Sequence, residues 1–184
     1  LAYDQICLET QENYLKQTYR NRCIIAAANG PQALTVPIVK PDTLKCLTKD
    51  IRISDHGNWR HLHWNALVSA YRMSPFFEYY EEDFAPFYEK KYEFLLDFNE
   101  ALREVVCQLI DIQPQIRYTT DYQADVTADF REIIRPKHEG NDPSFQPVPY
   151  YQVFLEKQGF LPNLSIVDLL FNMGPESLLV LQKS

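Results

Sequence analysis

The chain has 184 residues, of which 46% are hydrophobic and 23% charged, and its 25 acidic and 18 basic side chains give a net charge of −7. This composition is typical of one soluble folded domain and excludes a disordered tail. The negative charge argues against a protein that coats nucleic acid or anionic membranes, because it would be repelled by both.

The first third of the sequence is rich in short apolar runs that predict β-strands. Strands are expected at residues 5–9, 22–28, 34–39 and 50–54. Asn29, Gly30 and Pro31 separate the second run from the third. Because Asn-Gly between two apolar runs is a strong turn signal, a β-hairpin is predicted here.

The middle of the chain has helical periodicity instead. Apolar side chains recur at helical spacing from residue 59 to 71, with Asp55 or Asn58 as the expected N-cap. Ser74 followed by Pro75 predicts the start of a second helix. Further elements are expected as follows: helices at 92–110 and at 165–172, the latter ending near Gly174, an exposed loop at 137–147 and a strand at 150–154.

Two arginines form the first candidate site. In an extended strand Arg20 and Arg22 would lie on one side, about 7 Å apart, beside Tyr19 and Asn21. Two guanidinium groups in this arrangement can grip a phosphate or a carboxylate. Residues 13–41 contain no Asp or Glu, and residues 13–72 carry nine basic and only three acidic side chains. The alternative is that both arginines are surface residues or form structural ion pairs.

Three histidines, at positions 56, 61 and 63, give the second candidate. Residues two apart on a helix point about 200° apart, so His61 and His63 can share one metal ion only if the segment is extended, and no metal site is predicted. Metal-dependent hydrolysis at the three histidines is a third hypothesis, which requires bound zinc or manganese. His63 lies on the apolar helix face with Trp59. It is expected to be a hydrogen-bonded core histidine or a general acid or base.

The C-terminal helix carries one polar stripe, formed by Ser165, Asp168 and Asn172, on an otherwise apolar surface. A buried Asp168 requires donors, either backbone N–H groups or an arginine such as Arg20 or Arg22. An internal hydrogen-bond network and a substrate contact are both compatible with this pattern.

Several classes are disfavoured by what the sequence lacks. No apolar run approaches the roughly 18 residues of a membrane span, and no glycine-rich phosphate loop is present. Cys7, Cys23, Cys46 and Cys107 are widely spaced, which predicts reduced thiols and a cytoplasmic location. The aromatic residues at 76–88 could stack on sugars, but their alternation with acids favours a helix that packs on the core.

Five sequence blocks carry a family resemblance. They are Gln17-Thr-Tyr-Arg-Asn-Arg22, Leu34-Thr-Val-Pro37, Trp59 with His63, Tyr71 with Ser74-Pro-Phe-Phe77, and Leu164-Ser-Ile-Val-Asp-Leu-Leu-Phe-Asn-Met-Gly-Pro-Glu176. In this order they resemble the WbqC-like bacterial proteins, which are associated with O-antigen and other surface-polysaccharide gene clusters. The resemblance implies one WbqC-like domain over residues 1–184, from which the family's N-terminal strand is missing, and a cytosolic role in making or modifying activated sugars.

Together these observations predict a single α/β domain with an N-terminal sheet and β-hairpin, a helical middle and a C-terminal helix packed on the sheet. A transferase of activated-sugar biosynthesis is the leading hypothesis, with a small anionic sugar or nucleotide as ligand, no nucleic-acid partner, no membrane insertion and no identified cofactor. His63 and Asp168 are the expected catalytic residues. The expected substrate-binding residues are Tyr19, Arg20, Asn21, Arg22, Trp59 and Asn172. The alternative is a non-catalytic binding or assembly protein of the same pathway.

Overall fold

The structure, a computed structural model, describes residues 2–41, 43, 45–136 and 145–184. Four strands and six α-helices follow one another within these ranges: β1 (Gln5–Leu8), β2 (Arg22–Ala27), β3 (Gly30–Thr35), α1 (Trp59–Tyr71), α2 (Phe77–Glu89), α3 (Leu95–Leu109), β4 (Gln115–Tyr118), α4 (Leu155–Gln158), α5 (Ile166–Met173) and α6 (Ser177–Leu181). The predicted α/β class is confirmed, with N-terminal strands and a hairpin, helices in the middle and helices again at the C-terminus.

The described strands form two separate pairs. β2 and β3 make the predicted antiparallel hairpin, in register from Arg22 opposite Thr35 to Ala27 opposite Gly30. Gly30 has a positive φ of 119°, which glycine adopts readily in a tight turn. β3 begins at this glycine, which pairs with Ala27, and so starts earlier than the apolar run at 34–39 suggests. β1 and β4 lie parallel, and β4 was not predicted.

Two other predicted strands are wrong. Residues 50–54 make only single bridges, between Ile38 and Ile53 and between Arg52 and Phe94. Residues 150–154 lead into α4, because the carbonyl of Phe154 accepts the backbone N–H groups of the helical residues that follow. The loop expected at 137–147 lies mainly outside the described residues.

The helix caps also differ from the prediction. Asn58 occupies the N-cap of α1 but has a left-handed φ of 49° and makes no side-chain cap. Asp55 binds Arg60 and Lys91 instead. The Ser74 hydroxyl donates to the carbonyl of Tyr71 at 2.6 Å, so Ser74 closes α1 instead of opening α2.

Two apolar clusters form the core. The first lies between the hairpin, α1, α2 and α5, and the Phe171 ring is at its centre, 5.1–5.2 Å from the rings of Tyr71, Phe77 and Phe84. The second lies under α1 and α3 and consists of Val36, Ile51, Trp59, Phe87, Leu95 and Phe98. Of the aromatic residues at 76–88 that were expected in the core, Phe77, Phe84 and Phe87 are buried there, whereas Tyr79 is exposed.

Candidate functional site

The carboxyl ends of β1 and β4 lie side by side, because the two strands are parallel. Thr10 and Thr119 follow them and are hydrogen bonded to each other, the Thr10 N–H to Thr119 Oγ1 at 3.0 Å and the Thr10 hydroxyl to the Thr119 carbonyl at 3.2 Å. The loop that follows Thr10 leads from this edge to Glu12 and Tyr14.

That loop carries an ion pair between Glu12 and Arg20. Arg20 Nε and Nη2 both donate to Glu12 Oε1, at 2.7 and 2.5 Å, and the two side chains are only 16% and 11% exposed. Asn99 of α3 donates to the Arg20 carbonyl at 2.8 Å and holds the turn. The Arg20 side chain thus does not point into bulk solvent. Its partner Glu12 lies one residue before the segment 13–41, which contains no Asp or Glu.

Tyr14 and Arg22 lie beside this pair. Burial raises the pKa of Tyr14, and the positive charges of Arg20 and Arg22 offset only part of that effect. The Tyr14 hydroxyl oxygen and Arg22 Nε are both buried without a hydrogen-bond partner. No carboxylate of the described chain pairs with Arg22.

Asn21 completes this group, which we call the arginine cluster: Glu12, Tyr14, Arg20, Asn21 and Arg22. Asn21 Nδ2 donates to the carbonyl of Val36 at 3.0 Å, and Asn21 Oδ1 is buried without a partner. Tyr19 is half-buried in the turn before Arg20. Residues 16–21 form turns and bends, so the extended geometry expected there does not apply before Arg22.

His63 contacts the hairpin strand that pairs with Arg22, but its side chain does not lie on the face of the hairpin that carries Arg22. Its ring is 9% exposed, lies 5.1 Å from the Trp59 ring and bonds to the backbone of Thr35, the residue opposite Arg22 in the hairpin. Cys23 packs against the core, so strand alternation places Arg22 on the opposite face of β2. The hairpin backbone therefore separates His63 from Arg22.

Burial lowers the pKa of His63 from 6.5 to about 4, although the hydrogen bond to Thr35 partly opposes this change. We expect the ring to stay neutral from pH 8 to pH 5 in the folded protein, and an NMR titration of its ring protons checks this. The unfolded chain binds the proton near pH 6.5, so the stability that the neutral ring contributes is complete above that pH and is lost as the pH falls towards 4. His63→Gln should remove this part of the pH dependence, and an unchanged profile would contradict the assignment.

Asp168 and Asn172 lie in the core, away from the arginine cluster. Asp168 is 0% exposed and accepts hydrogen bonds from the Tyr71 and Tyr150 hydroxyls, each at 2.7 Å, and from Gln152 Nε2 at 3.1 Å. Asn172 Nδ2 donates to the Asp168 carbonyl at 2.7 Å, while Asn172 Oδ1 is buried without a partner. The donors are two tyrosines and a glutamine, in place of the arginine or backbone N–H groups considered from the sequence.

Neither a metal centre nor a membrane span is found in the part of the chain that the structure describes. No three His, Cys, Asp or Glu side chains meet there as metal ligands would. His61 Nε2 lies 2.9 Å from Asn65 Nδ2, and His56 belongs to a short 3₁₀ turn before α1. Within the same ranges, no helix has both the length and the apolar character needed to cross a membrane.

Two surface clefts lie outside the arginine cluster. One, of about 710 Å³, opens between the hairpin tip and α1 and is lined by uncharged residues. The other, of about 190 Å³, lies beside α5 and α6 and includes Tyr150, whose hydroxyl bonds to Asp168. Neither is lined by Arg20, Arg22 or His63. Three buried polar side-chain atoms without a partner, Tyr14 Oη, Asn21 Oδ1 and Arg22 Nε, belong to the arginine cluster.

Comparison with known proteins gives one family and one relative. The model of the WbqC-like protein family matches residues 1–139, which include β1 to β4 and the whole arginine cluster. The uncharacterized protein Rv1507c of Mycobacterium tuberculosis is 26% identical over 199 residues, covering 95% of this chain and 86% of the relative. No solved structure matches. Since the family match spans three quarters of the sequence, the chain belongs to the WbqC-like protein family.

Proposed function

We propose that the chain binds a small anionic sugar derivative at the arginine cluster and acts on it as a cytoplasmic transferase of surface-polysaccharide or activated-sugar biosynthesis. One observation carries the proposal: the Tyr14 hydroxyl oxygen and Arg22 Nε are buried beside Arg20 without any partner. The pathway rests on the family resemblance. The four free cysteines support a cytoplasmic location.

Physical chemistry favours an anion here. A buried polar group without a partner costs roughly 1–3 kcal/mol, and an oxyanion that accepts a hydrogen bond from the Tyr14 hydroxyl or from Arg22 Nε–H offsets that cost. Hydrogen bonds in which one partner is charged are about twice as strong as neutral ones.

The remaining candidates receive different roles in this proposal. His63 is assigned no direct contact with the ligand, because the hairpin backbone separates it from Arg22; we propose instead that its bond to Thr35 holds the strand opposite Arg22 in place. Trp59 packs against His63 and holds the ring in place. Asp168 and Asn172 are proposed to act indirectly, by fixing α5 on the core.

Arg22→Ala tests the ligand site. Calorimetry with glucuronate and with glucose 1-phosphate should give a dissociation constant about tenfold to a hundredfold weaker for the variant, since a charge-assisted hydrogen bond is lost. Arg72→Ala is the matched control, because Arg72 is exposed at the end of α1 and loses the same charge. Equal affinity in Arg22→Ala and the wild type, or no binding of either probe to the wild type, would overturn the proposal.

A non-catalytic binding protein is the second candidate, and the separation of His63 from Arg22 by the hairpin backbone favours it. Turnover distinguishes the two. The transferase proposal expects a wild-type product, detectable by mass spectrometry, when an anionic sugar is mixed with acyl or glycosyl donors. Binding that depends on Arg22 without any such product would favour the binding protein.

A further inference from the structure

We propose that β3 of one chain pairs with β3 of a second copy, antiparallel and centred on Ala33, so that two hairpins form one four-stranded sheet in a symmetric dimer. The surface concerned is the outer edge of β3, together with the cleft of about 710 Å³ between the hairpin tip and α1. The proposal does not rest on the proposed function, because no residue of the arginine cluster lines this cleft.

The first step is the direction of the backbone groups of β3. In an antiparallel pair, alternate residues point their N–H and carbonyl groups towards the neighbouring strand and away from it. The Val36 N–H donates to the carbonyl of Asn21 at 2.8 Å, so Val36 points towards the other strand of the hairpin. The residues that point away from β2 are therefore Thr35, Ala33 and Pro31.

The second step is the difference between the two edges of the hairpin. On the outer edge of β2, the Ile24 carbonyl accepts the Ser165 N–H at 2.7 Å and the Ala26 N–H donates to the Tyr71 hydroxyl at 3.2 Å. On the outer edge of β3, Ala33 is exposed, and its N–H and carbonyl bond to no group of the described residues. This edge therefore has a donor and an acceptor available for another strand.

The third step is that the free groups match a second copy of the same edge. With Ala33 opposite Ala33 of the second copy, the two residues exchange two N–H···O bonds. Thr35 then lies opposite Pro31 of the second copy, and its N–H donates to the Pro31 carbonyl. Pro31 has no N–H to return. The Thr35 carbonyl does not need one, because His63 already bonds to the Thr35 backbone, and a bond that raises the pKa of the ring has a carbonyl as its acceptor.

The fourth step is the lack of charge along this edge. Residues 23–39 contain no Asp, Glu, Lys or Arg, although exposed edge strands are commonly protected by charged side chains. Pairing of two identical edges brings like charges together wherever the edge is charged. The uncharged edge of β3 can therefore pair with its own copy without repulsion.

The fifth step is the stripe of α1 that lines the same cleft. Leu62, Asn65, Ala66 and Ser69 are uncharged and recur at helical spacing, and Leu62 is 59% exposed. A two-fold axis perpendicular to the paired strands places both α1 helices on the same face of the four-stranded sheet. The stripes of the two copies then face each other, and burial of Leu62 between them stabilises the dimer further.

The oligomeric state tests the proposal. Sedimentation of the wild type at about 100 µM should give the mass of two chains. Leu62→Glu places two like charges on either side of the axis and should weaken the dimer at least about tenfold. Leu179→Glu is the matched control, because Leu179 is a similarly exposed leucine, at 54%, in α6 and outside the cleft, so this variant should stay dimeric.

Ala33→Pro tests the strand pairing itself, since it removes the outward N–H and none of the bonds to β2. It should also weaken the dimer at least about tenfold. Exchange of backbone hydrogens in the wild type, followed by mass spectrometry, gives a measurement that needs no variant. Peptides that contain Ala33 and Thr35 should exchange more slowly at about 100 µM than at about 1 µM.

Three results would overturn the proposal. One is a wild type that stays monomeric at about 100 µM. Another is a dimer that folded Leu62→Glu and folded Ala33→Pro both retain, since such a dimer uses another face. The third is a wild-type dimer in which exchange at Ala33 and Thr35 does not depend on protein concentration, since the two β3 edges are then unpaired.

Discussion

Asp168→Ala is expected to lower the free energy of unfolding by about 3–5 kcal/mol, the usual cost of breaking a buried, hydrogen-bonded charged network. The substitution removes the acceptor of three donors, the hydroxyls of Tyr71 and Tyr150 and the amide of Gln152. Tyr71 and Gln152 are fully buried and gain no access to water, whereas Tyr150 is half-buried and lines the cleft beside α5 and α6. Urea denaturation followed by circular dichroism measures the change.

The expected effect is large because Asp168 connects four parts of the fold. Tyr71 belongs to α1, and its hydroxyl also accepts the backbone N–H of Ala26 in β2 at 3.2 Å. Gln152 in turn binds the backbone of Leu161 through both its nitrogen and its oxygen, each at 2.9 Å. Loss of the carboxylate therefore loosens the hairpin, α1, the segment before α4 and α5 together.

Asp168→Asn is the matched variant, because it keeps the shape and one acceptor oxygen. It should cost less, about 1–2 kcal/mol, and it also tests the charge. Burial raises the pKa of Asp168 above its ordinary 3.8, although the hydrogen bonds from Tyr150, Tyr71 and Gln152 oppose the shift. The folded protein then holds this proton more tightly than the unfolded chain, so the carboxyl group's contribution to stability falls as the pH rises from 3.8 towards the folded pKa.

The loss of stability between pH 3.8 and the folded pKa of Asp168 should be absent from Asp168→Asn, because the amide does not ionise. A pH series of denaturation curves on the wild type and the variant makes the comparison. Equal destabilisation by Asp168→Ala and Asp168→Asn would contradict the network, since it would mean that the tyrosine hydroxyls find other acceptors.

The elements that sequence periodicity predicts well are those whose apolar stripe packs on a core. Trp59–Tyr71 is the clearest case, because its predicted limits are those of α1. The predicted limits of β2 and of α5, the helix that ends at Gly174, also lie within one residue of the observed ones. In each of them a regular run of apolar side chains meets a buried surface, so the local pattern and the tertiary structure agree.

The elements that were missed depend on distant partners. β4 is four residues long, has polar side chains at Gln115 and Arg117, and pairs with β1 more than a hundred residues earlier. Nothing local distinguishes it from a loop. Residues 50–54 alternate as a strand would, yet they make only single bridges, because the neighbouring segments at 37–39 and 93–95 run beside them for only a few residues.

The candidate site was predictable in part. The sequence singled out Arg20 and Arg22 by their spacing, but it did not indicate Glu12 or Tyr14, because their contacts arise from irregular turns with no period. The burial of Asp168 was predictable from the apolar helix that carries it, whereas the identity of its hydrogen-bond donors was not. Tyr71 was the available signal, since it lies on the buried face of α1 and its hydroxyl requires a partner.

Gly174→Ala is expected to destabilise the protein by about 3–5 kcal/mol, because the substitution meets two separate obstacles. The first is the backbone, since Gly174 ends α5 with φ 53° and ψ −128°, a conformation that only glycine adopts readily. The second is space, because a Cβ at this position would lie 2.5–2.6 Å from three atoms of the Phe76 ring. The backbone N–H of Phe76 is bonded to the Phe171 carbonyl at 3.0 Å, which limits how far the ring can move away.

Gly159→Ala separates these two causes. Gly159 ends α4 with φ 70° and ψ −176°, also a conformation reserved for glycine, but no atom lies within 4 Å of its added Cβ. It should therefore show the backbone cost alone, about 1–3 kcal/mol, and the excess in Gly174→Ala measures the clash with Phe76. Because that clash disappears when the ring is removed, Phe76→Ala should cost less in the Gly174→Ala background than in the wild type. Two results would contradict the clash: additive costs in this double-mutant cycle, or a Gly174→Ala variant no less stable than Gly159→Ala. Either result would show that the Phe76 ring moves away from the added Cβ and that the backbone conformation alone requires glycine at position 174.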